Sequence, residues 1–200
     1  MSEVHGLFPT PLFKTKLNRG FTEKEMNFIL ENENKVQINN YNTKVSANKN
    51  ILNSEEFNDL KNEINNALNN YKNIVLNTDN QLELYITQSW ISYMKDNYFH
   101  NQHNHLNSFV SGVLYIQAKD NIMFLTDKNN FFELKVKQFN DFNSQSFNMN
   151  VETGDLILFP SHLIHLVPHK INKNKRISLA FNTFIKGEIG RAEALTELNI

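Results

Sequence analysis

Histidine is concentrated in two short segments of this chain. Six of the seven histidines lie in them: His100, His103 and His105 in the first, and His162, His165 and His169 in the second. Neutral imidazole is the commonest metal ligand among side chains, and a chain without cysteine must bind a transition metal through nitrogen and oxygen atoms. The sequence contains no cysteine. The two clusters therefore predict either a metal site or an acid/base pair.

The spacing of His103 and His105 suits a shared ligand. Residues two apart in an extended chain project from the same face. His165 follows an apolar, strand-like run, and a β-sandwich can bring it to the first pair. Three ligands on one face leave coordination positions open, which is typical of a metal that takes part in chemistry. For His100 and His169, which lie beside Asn or Lys, we expect solvated loop positions.

Arg176 begins the strongly β-prone run RISLAFNTF. An arginine that points into a β-sandwich is costly unless it meets an anion, and its planar guanidinium group matches a carboxylate. Ser178 lies on the same strand face and can add a hydroxyl donor. The pair predicts an anion-binding site. The alternative is an edge-strand arginine paired with a surface acid, a common situation for a single arginine.

Helix patterns precede strand patterns along the chain, which indicates the α+β class. Thr22 and Glu25 form a capping-box pattern that opens a first helix. Ser54 opens a second helix, whose apolar residues recur at intervals of three and four up to Val75. This stripe predicts helices that pack on the outside of a sheet. The segment 7–17 contains two prolines and predicts an edge strand.

Short β-prone runs dominate the chain from residue 84 onward. They are LYITQSWISYM, SFVSGVLYIQA, IMFL, FFELKV, DLILF and RISLAFNTF. A double-stranded β-helix (jelly-roll) or a small barrel would protect the edges of so many strands. We predict one domain over 1–200, with an N-terminal strand and covering helices over 1–80. The jelly-roll core, with the helices packed on one sheet, covers 81–186, and a C-terminal tail covers 187–200.

The composition argues against two classes of partner. Twenty basic and 21 acidic side chains give a formal net charge of −1, so we expect no nucleic-acid partner. No run approaches the roughly 20 apolar residues that span a bilayer, and the N-terminus lacks a signal-peptide pattern. We therefore expect a cytoplasmic protein without a membrane partner. An exposed sheet edge or helix face would support a homodimer.

The motifs together resemble those of the Fe(II)- and 2-oxoglutarate-dependent oxygenases. The resemblance rests on His-x-His at 103–105, the distal histidine of FPSHLIH, and Arg-x-Ser at 176–178. More narrowly, the segments LFPTPLF, SWISYM, HNHLNSFVSGVLY, DLILFPSHLIHLVPHK and RISLAFN are similar to a 2-oxoglutarate oxygenase group of bacteria and marine phages. The similarity covers most of the chain apart from 119–150. It implies a cytoplasmic enzyme, in the host cytoplasm if the source is viral.

The resemblance implies Fe(II) and 2-oxoglutarate as cofactors, with O2 as cosubstrate. By position, His103 would be the first iron ligand and His165 the distal one. Arg176 would bind the far carboxylate of 2-oxoglutarate, assisted by Ser178, and we expect the two histidines and the arginine to be catalytic. The usual second ligand is an acid two residues after the first histidine, where this chain has His105. We predict a three-histidine iron site, although His105 could instead orient the substrate.

Two tyrosines complete the predicted cosubstrate site. Tyr93 and Tyr115 lie in β-prone runs on either side of the first histidine motif. Either hydroxyl could hydrogen-bond 2-oxoglutarate, although a tyrosine in a strand is more often part of the core.

The predicted function is a non-haem dioxygenase that hydroxylates an unidentified substrate and releases succinate and CO2. The substrate would be a small molecule or a peptidyl group, held by loops such as 33–50 and 126–146. Two alternatives stay open. A cupin-like metal-binding enzyme without 2-oxoglutarate would keep the histidines but not the arginine clamp. A non-catalytic jelly-roll structural protein would need neither.

Overall fold

The computed structural model describes residues 2–38, 43–95, 99–126, 134–169 and 175–200. The α-helices of these residues are α1 (Glu23–Asn32) and α2 (Asn58–Tyr71). The strands are β1 (Phe13–Lys16), β2 (Val36–Ile38), β3 (Lys44–Ser46), β4 (Leu82–Met94), β5 (His100–His103), β6 (Val110–Gln117), β7 (Lys119–Leu125), β8 (Ser146–Glu152), β9 (Asp155–Pro160), β10 (His165–Val167), β11 (Arg176–Ile189) and β12 (Leu198–Asn199). Short helical turns lie at Ile51–Asn53, Glu55–Phe57, Lys72–Leu76 and Ala192–Ala194.

The strands form two sheets. The larger sheet has the order β1-β9-β6-β11-β4-β3-β2, with β12 paired to β11, and the smaller sheet has the order β5-β10-β7-β8. The pairings are antiparallel. Strands distant in sequence lie side by side, as a jelly-roll requires. Within the described ranges the two sheets stay separate and do not close into a barrel. The predicted α+β class and jelly-roll core are confirmed.

The helices cover one face of the larger sheet, as predicted. The capping box at the start of α1 is present, because the Thr22 hydroxyl accepts from the Glu25 backbone N–H at 3.2 Å and the Glu25 carboxylate accepts from the Thr22 N–H at 2.8 Å. The apolar stripe of α2, which includes Ile64 and Leu68, is buried in one cluster with Ile91 of β4. Burial of this stripe anchors the helical layer to the sheet.

The central strand β11 separates two apolar cores because its side chains alternate. One set packs in the cluster beneath the helices: Ile177, Leu179 and Phe181. Ala180 belongs to the second cluster, which contains residues of both sheets. The two-residue period of a strand puts Arg176, Ser178 and Asn182 on the same face as Ala180. The β11 residues that could do chemistry therefore face the space between the sheets.

Several short strands differ from the sequence prediction. β2 and β3 lie within 33–50, which the sequence predicts as a loop, and residues 39–42 of that segment lie outside the described residues. Of the predicted strand 131–136, residues 131–133 are also outside them, and 134–136 are not in a strand. β8 is formed instead by 146–152, a segment whose side chains are mostly exposed. Such a strand has too little apolar alternation to be predicted from sequence.

The edge strand predicted over 7–17 is shorter than expected. Only β1 is in a strand, and it lies at the edge of the larger sheet, paired with β9. A proline cannot donate to a ladder, which explains why the strand begins after the two prolines. Neither helix of the described residues is long and apolar enough to cross a membrane.

Candidate active site

Three histidines converge where the two sheets face each other. His103 ends β5 and His165 begins β10, and the two residues are direct partners across the antiparallel ladder. His105 lies in the turn after β5, where its backbone N–H donates to the Ser161 carbonyl at 2.9 Å. One ligand atom from each of the three histidines lies within 4.8 Å of the others. The arrangement can hold a single metal ion.

Hydrogen bonds fix which nitrogen His103 and His165 can offer. Nδ1 of His103 is 2.8 Å from the carbonyl oxygen of Asn101, and Nδ1 of His165 is 3.0 Å from that of Leu163. A carbonyl oxygen only accepts, so each Nδ1 carries the proton and each Nε2 carries the lone pair. Nε2 is therefore the nitrogen through which both rings can bind a metal.

A buried polar network orients His105 in the same way. Its Nδ1 is hydrogen-bonded to Oδ1 of Asn182 and lies 2.9 Å from the Ser111 hydroxyl. The Ser111 hydroxyl donates to the same Asn182 oxygen at 3.0 Å and lies 2.8 Å from the hydroxyl of Ser161. Because Asn182 Oδ1 is an acceptor, the Nδ1 of His105 also holds the proton. His105 can therefore also bind a metal through Nε2.

Burial keeps these imidazoles uncharged. It lowers the pKa of His105 to about 4, although the hydrogen bond to Asn182 works in the opposite direction. Burial also lowers the pKa of His103. For His165, burial and then the neighbouring His103 hold the pKa well below the ordinary value. Neutral imidazole is the form that binds metal. The donor set of three neutral nitrogens suits a first-row transition metal, Fe(II) included.

His100 lies against this cluster, which corrects the prediction of a solvated loop position. Its ring stacks on that of His103, with centroids 4.2 Å apart. Burial, followed by the nearby His103, lowers the pKa of His100 to about 3. His162 and His169 of the second sequence cluster are exposed. Of the six clustered histidines, these two lie apart from the metal-binding group.

A cavity of about 190 Å³ opens beside the histidines. Its lining consists of Trp90, His100, His103, Asn104, His105, Leu106 and Asn182. The Trp90 ring lies beside that of His105, tilted by 41° with centroids 5.9 Å apart. Among the described lining residues there is no Asp, Glu, Lys or Arg. The cavity is suited to an uncharged group with polar atoms, because amide, imidazole and indole groups line it together with the aliphatic side chain of Leu106.

Arg176 is buried between the sheets, which excludes the alternative of a surface ion pair. Only 2% of its side chain is exposed. Nη1 donates to Oδ2 of Asp120 at 3.1 Å and to the Asn121 carbonyl at 3.3 Å, while Nη2 donates to the Tyr115 hydroxyl at 3.4 Å. Nε has no hydrogen-bond partner among the described residues. A buried guanidinium N–H without a partner fits the carboxylate of a bound anion.

Tyr115, one of the predicted cosubstrate residues, contacts Arg176, and Ser178 lies two residues further along the same strand. Tyr115 is fully buried, and the guanidinium carbon of Arg176 lies 5.1 Å from the centre of its ring. Burial raises the pKa of Tyr115 to about 12, against the lowering effect of Arg176, so its hydroxyl stays protonated and can donate. Ser178 is buried on the same face of β11.

The prediction for Tyr93 is wrong. Its hydroxyl donates to the Ile29 carbonyl of α1 at 2.6 Å, and the residue packs in the apolar cluster beneath the helices. Side chains alternate along β4, so Tyr93 lies on the face opposite to Trp90. It fixes the helical layer and does not reach the space between the sheets.

Two residues of this region were missed by reasoning from the sequence. Asn182 lies on the same face of β11 as Arg176 and Ser178, so extending the two-residue period of RISLAFN would have found it. Asp120 lies in the segment 119–150, where no motif marked it. Its position beside Arg176 follows from the packing of one sheet on the other.

We expect Asn182→Ala to weaken metal binding about tenfold, because the hydrogen bond that orients His105 is lost. Titration with Mn(II) against a competing fluorescent chelator would measure the affinity, and the ¹⁵N chemical shifts of the His105 ring would report its tautomer. Asn104→Ala is the matched control, since this amide lines the same cavity. Unchanged affinity in Asn182→Ala, or equal losses in both variants, would contradict the orienting role.

Comparison with known proteins agrees with this site. Residues 88–182, which include the three histidines, Tyr115 and Arg176, match the model of a family described as "Putative 2OG-Fe(II) oxygenase". None of the curated proteins searched matches the chain.

Several solved structures share the fold of this chain. HygX from Streptomyces hygroscopicus, solved with nickel, 2-oxoglutarate and hygromycin B bound, is 16% identical with a TM-score of 0.55, over 87% of this chain and 82% of HygX. A prolyl-4-hydroxylase from Pseudomonas putida is 13% identical with a TM-score of 0.55, over 88% and 94% of the two chains. The carbocyclase SnoK from nogalamycin biosynthesis is 9% identical with a TM-score of 0.61, over 87% and 79%. At these identities the likeness concerns the fold. The match over residues 88–182 shows that this part of the chain is similar to the 2OG-Fe(II) oxygenase family, which its sequence motifs resemble.

Proposed function

We propose that this chain is a non-haem dioxygenase that hydroxylates its substrate and converts 2-oxoglutarate and O2 to succinate and CO2. One observation carries the proposal: a group of three neutral histidines lies in the same inter-sheet space as a buried arginine with an unpaired N–H. The first suits a transition metal and the second suits a carboxylate. A 2-oxo acid with a second carboxylate would require both.

In this proposal His103, His105 and His165 hold Fe(II) through their Nε2 atoms. The hydrogen bonds at Nδ1 keep the three rings in the orientation and tautomer that binding needs. His105 is neutral where the family usually has an acid, so the iron centre carries one more unit of positive charge. That charge favours an anionic cosubstrate.

Arg176, Tyr115 and Ser178 would hold the far carboxylate of 2-oxoglutarate. The first two groups are already in contact, and all three are buried. When bound, Fe(II) and 2-oxoglutarate supply the oxidising chemistry with O2. The chain itself keeps the cosubstrate in place and excludes water through apolar neighbours such as Phe159, whose ring lies 4.8 Å from that of His165.

The substrate would enter the cavity beside Trp90 and Asn182. At about 190 Å³ it is smaller than a pocket for a drug-sized molecule, so it suits a small molecule or the end of a peptidyl group. The uncharged lining favours a neutral, polar reacting group. We also propose a cytoplasmic location and a homodimer, on the sequence grounds given above.

Anaerobic reconstitution with Fe(II) and 2-oxoglutarate would test the function. We expect a visible charge-transfer band that needs both components, and succinate release after O2 is admitted. Neutral and charged candidate substrates are then compared for stimulation of succinate release. Metal binding without the band would favour the cupin-like alternative, and failure to bind metal stoichiometrically would favour a structural role.

A further inference from the structure

Arg176 forms an ion pair with an acidic residue of the other sheet, Asp120. Asp120 comes from β7 in the smaller sheet, whereas Arg176 begins β11 in the larger one. The Asp120 carboxylate accepts from Nη1 at 3.1 Å, and 10% of its side chain is exposed. The adjacent Asn121 carbonyl accepts from the same Nη1 at 3.3 Å. The first residues of β7 therefore hold one edge of the guanidinium group.

The opposite edge of the guanidinium group remains for an anion. Nε and Nη2 lie on one side of a guanidinium and can together donate to the two oxygens of a carboxylate. Nε of Arg176 has no partner among the described residues, and Nη2 has the long contact of 3.4 Å with Tyr115. A carboxylate at this edge would have the Tyr115 hydroxyl as a neighbouring donor.

Asp120 acts on such an anion in two opposing ways. By accepting from Nη1 it keeps the Nε edge turned to the anion, which favours binding. Its negative charge offsets that of Arg176 and repels an incoming carboxylate. Because the site is buried, this repulsion is screened only weakly by solvent and salt.

We propose that Asp120 sets the affinity of this chain for the far carboxylate of its 2-oxo acid, by orienting Arg176 and by opposing the incoming charge. The inference rests on the proposed function, since it takes 2-oxoglutarate as the ligand of Arg176. Asp120 is then a positioning residue: it orients the guanidinium group of Arg176, and its charge weakens the binding of 2-oxoglutarate.

Two substitutions separate the orienting role from the charge. Asp120→Asn keeps an oxygen that accepts from Nη1 and removes the charge, whereas Asp120→Ala removes both. We expect 2-oxoglutarate to bind about tenfold more tightly to Asp120→Asn than to the wild type, the order expected for removing one nearby charge. We expect Asp120→Ala to bind at least tenfold less tightly than Asp120→Asn. Calorimetry on Mn(II)-loaded protein without O2 measures both.

Control ligands and a control variant test whether the change in affinity depends on the far carboxylate. Pyruvate has the 2-oxo acid group without the second carboxylate, so its affinity should be equal in the wild type and Asp120→Asn. Glu152→Gln removes one charge from the exposed end of β8 and should leave 2-oxoglutarate affinity unchanged. Without metal, glutarate should raise the melting temperature of Asp120→Asn more than that of the wild type.

A further measurement uses the wild-type protein and changes the ligand. The 5-amide of 2-oxoglutarate has no far charge, and its amide oxygen can accept from the same Nε and Nη2 edge of Arg176. Because it avoids the repulsion from Asp120, we expect it to bind within about tenfold of 2-oxoglutarate. A larger preference for the acid would overturn the inference, as would equal or weaker binding of 2-oxoglutarate to a folded Asp120→Asn protein. If Arg176→Ala binds 2-oxoglutarate as well as the wild type does, the proposed function itself fails.

Discussion

Replacement of His165 by alanine is expected to lower the affinity for Fe(II) or Mn(II) more than about a hundredfold. His165 is 4% exposed and is one of three ligands that share a single ion in the proposed site. The metal-binding free energy is shared among a few ligands. By comparison with zinc-binding peptides, one imidazole contributes several kcal/mol of it. Metal content after dialysis and competition with a chelator would measure the loss.

His162→Ala is the matched control for this experiment. It removes an imidazole three residues away in the same segment, but its side chain is exposed and outside the group of three. We expect metal affinity equal to that of the wild type. Equal metal content in His165→Ala and His162→Ala would show that the cluster is not a metal site, and would remove the basis for an iron enzyme.

The second large effect is expected for Arg176→Ala. Loss of the guanidinium breaks the buried ion pair between Arg176 and Asp120, and breaking such a pair costs about 3–5 kcal/mol of unfolding free energy. The same change removes the donors proposed for 2-oxoglutarate, so we expect its affinity to fall about a hundredfold. Urea denaturation measures the first effect, and calorimetry on the Mn(II)-loaded protein at low temperature measures the second.

Two further variants distinguish stability from binding. Arg191→Ala removes an exposed arginine whose contact with Glu193 is 4.0 Å long, and should change the unfolding free energy by less than about 0.5 kcal/mol. The double variant Arg176→Met with Asp120→Asn replaces the buried pair by neutral groups and should regain most of the lost stability. It should not regain 2-oxoglutarate binding. Recovered binding in the double variant would exclude Arg176 as the carboxylate-binding residue.

Local sequence patterns were sufficient to predict the helices and the longer strands around the site, but not the short strands β5 and β10 that carry His103 and His165. The capping box at Thr22 and the apolar stripe from Phe57 to Val75 depend on neighbours within one turn, so they are visible without tertiary information. Strands β9 and β11 could be predicted for the same reason, from the apolar run of the first and the β-prone run of the second. The proximity of His103 to His165 was predictable only with the help of the family resemblance.

Tertiary packing determines the features that the sequence did not reveal. Tyr93 and Tyr115 are both strand tyrosines, and only the layer against which each face packs decides that the first meets a helix and the second meets Arg176. Asp120 lies in an uninformative segment, and its importance arises from an arginine on the other sheet. His100 appeared to be a loop residue because its stacking partner His103 becomes a neighbour only once β5 forms.

The direct pairing of His103 with His165 across β5 and β10 has a mechanical consequence. β5 is the outermost strand of the smaller sheet, and such a strand has neighbours on one side only. An ion bound by both histidines would clamp that strand to the next one. Amide protons of β5 and β10 should then exchange with deuterium more slowly in the metal-loaded protein, while those of β4 and β11, deep in the larger sheet, keep their rates.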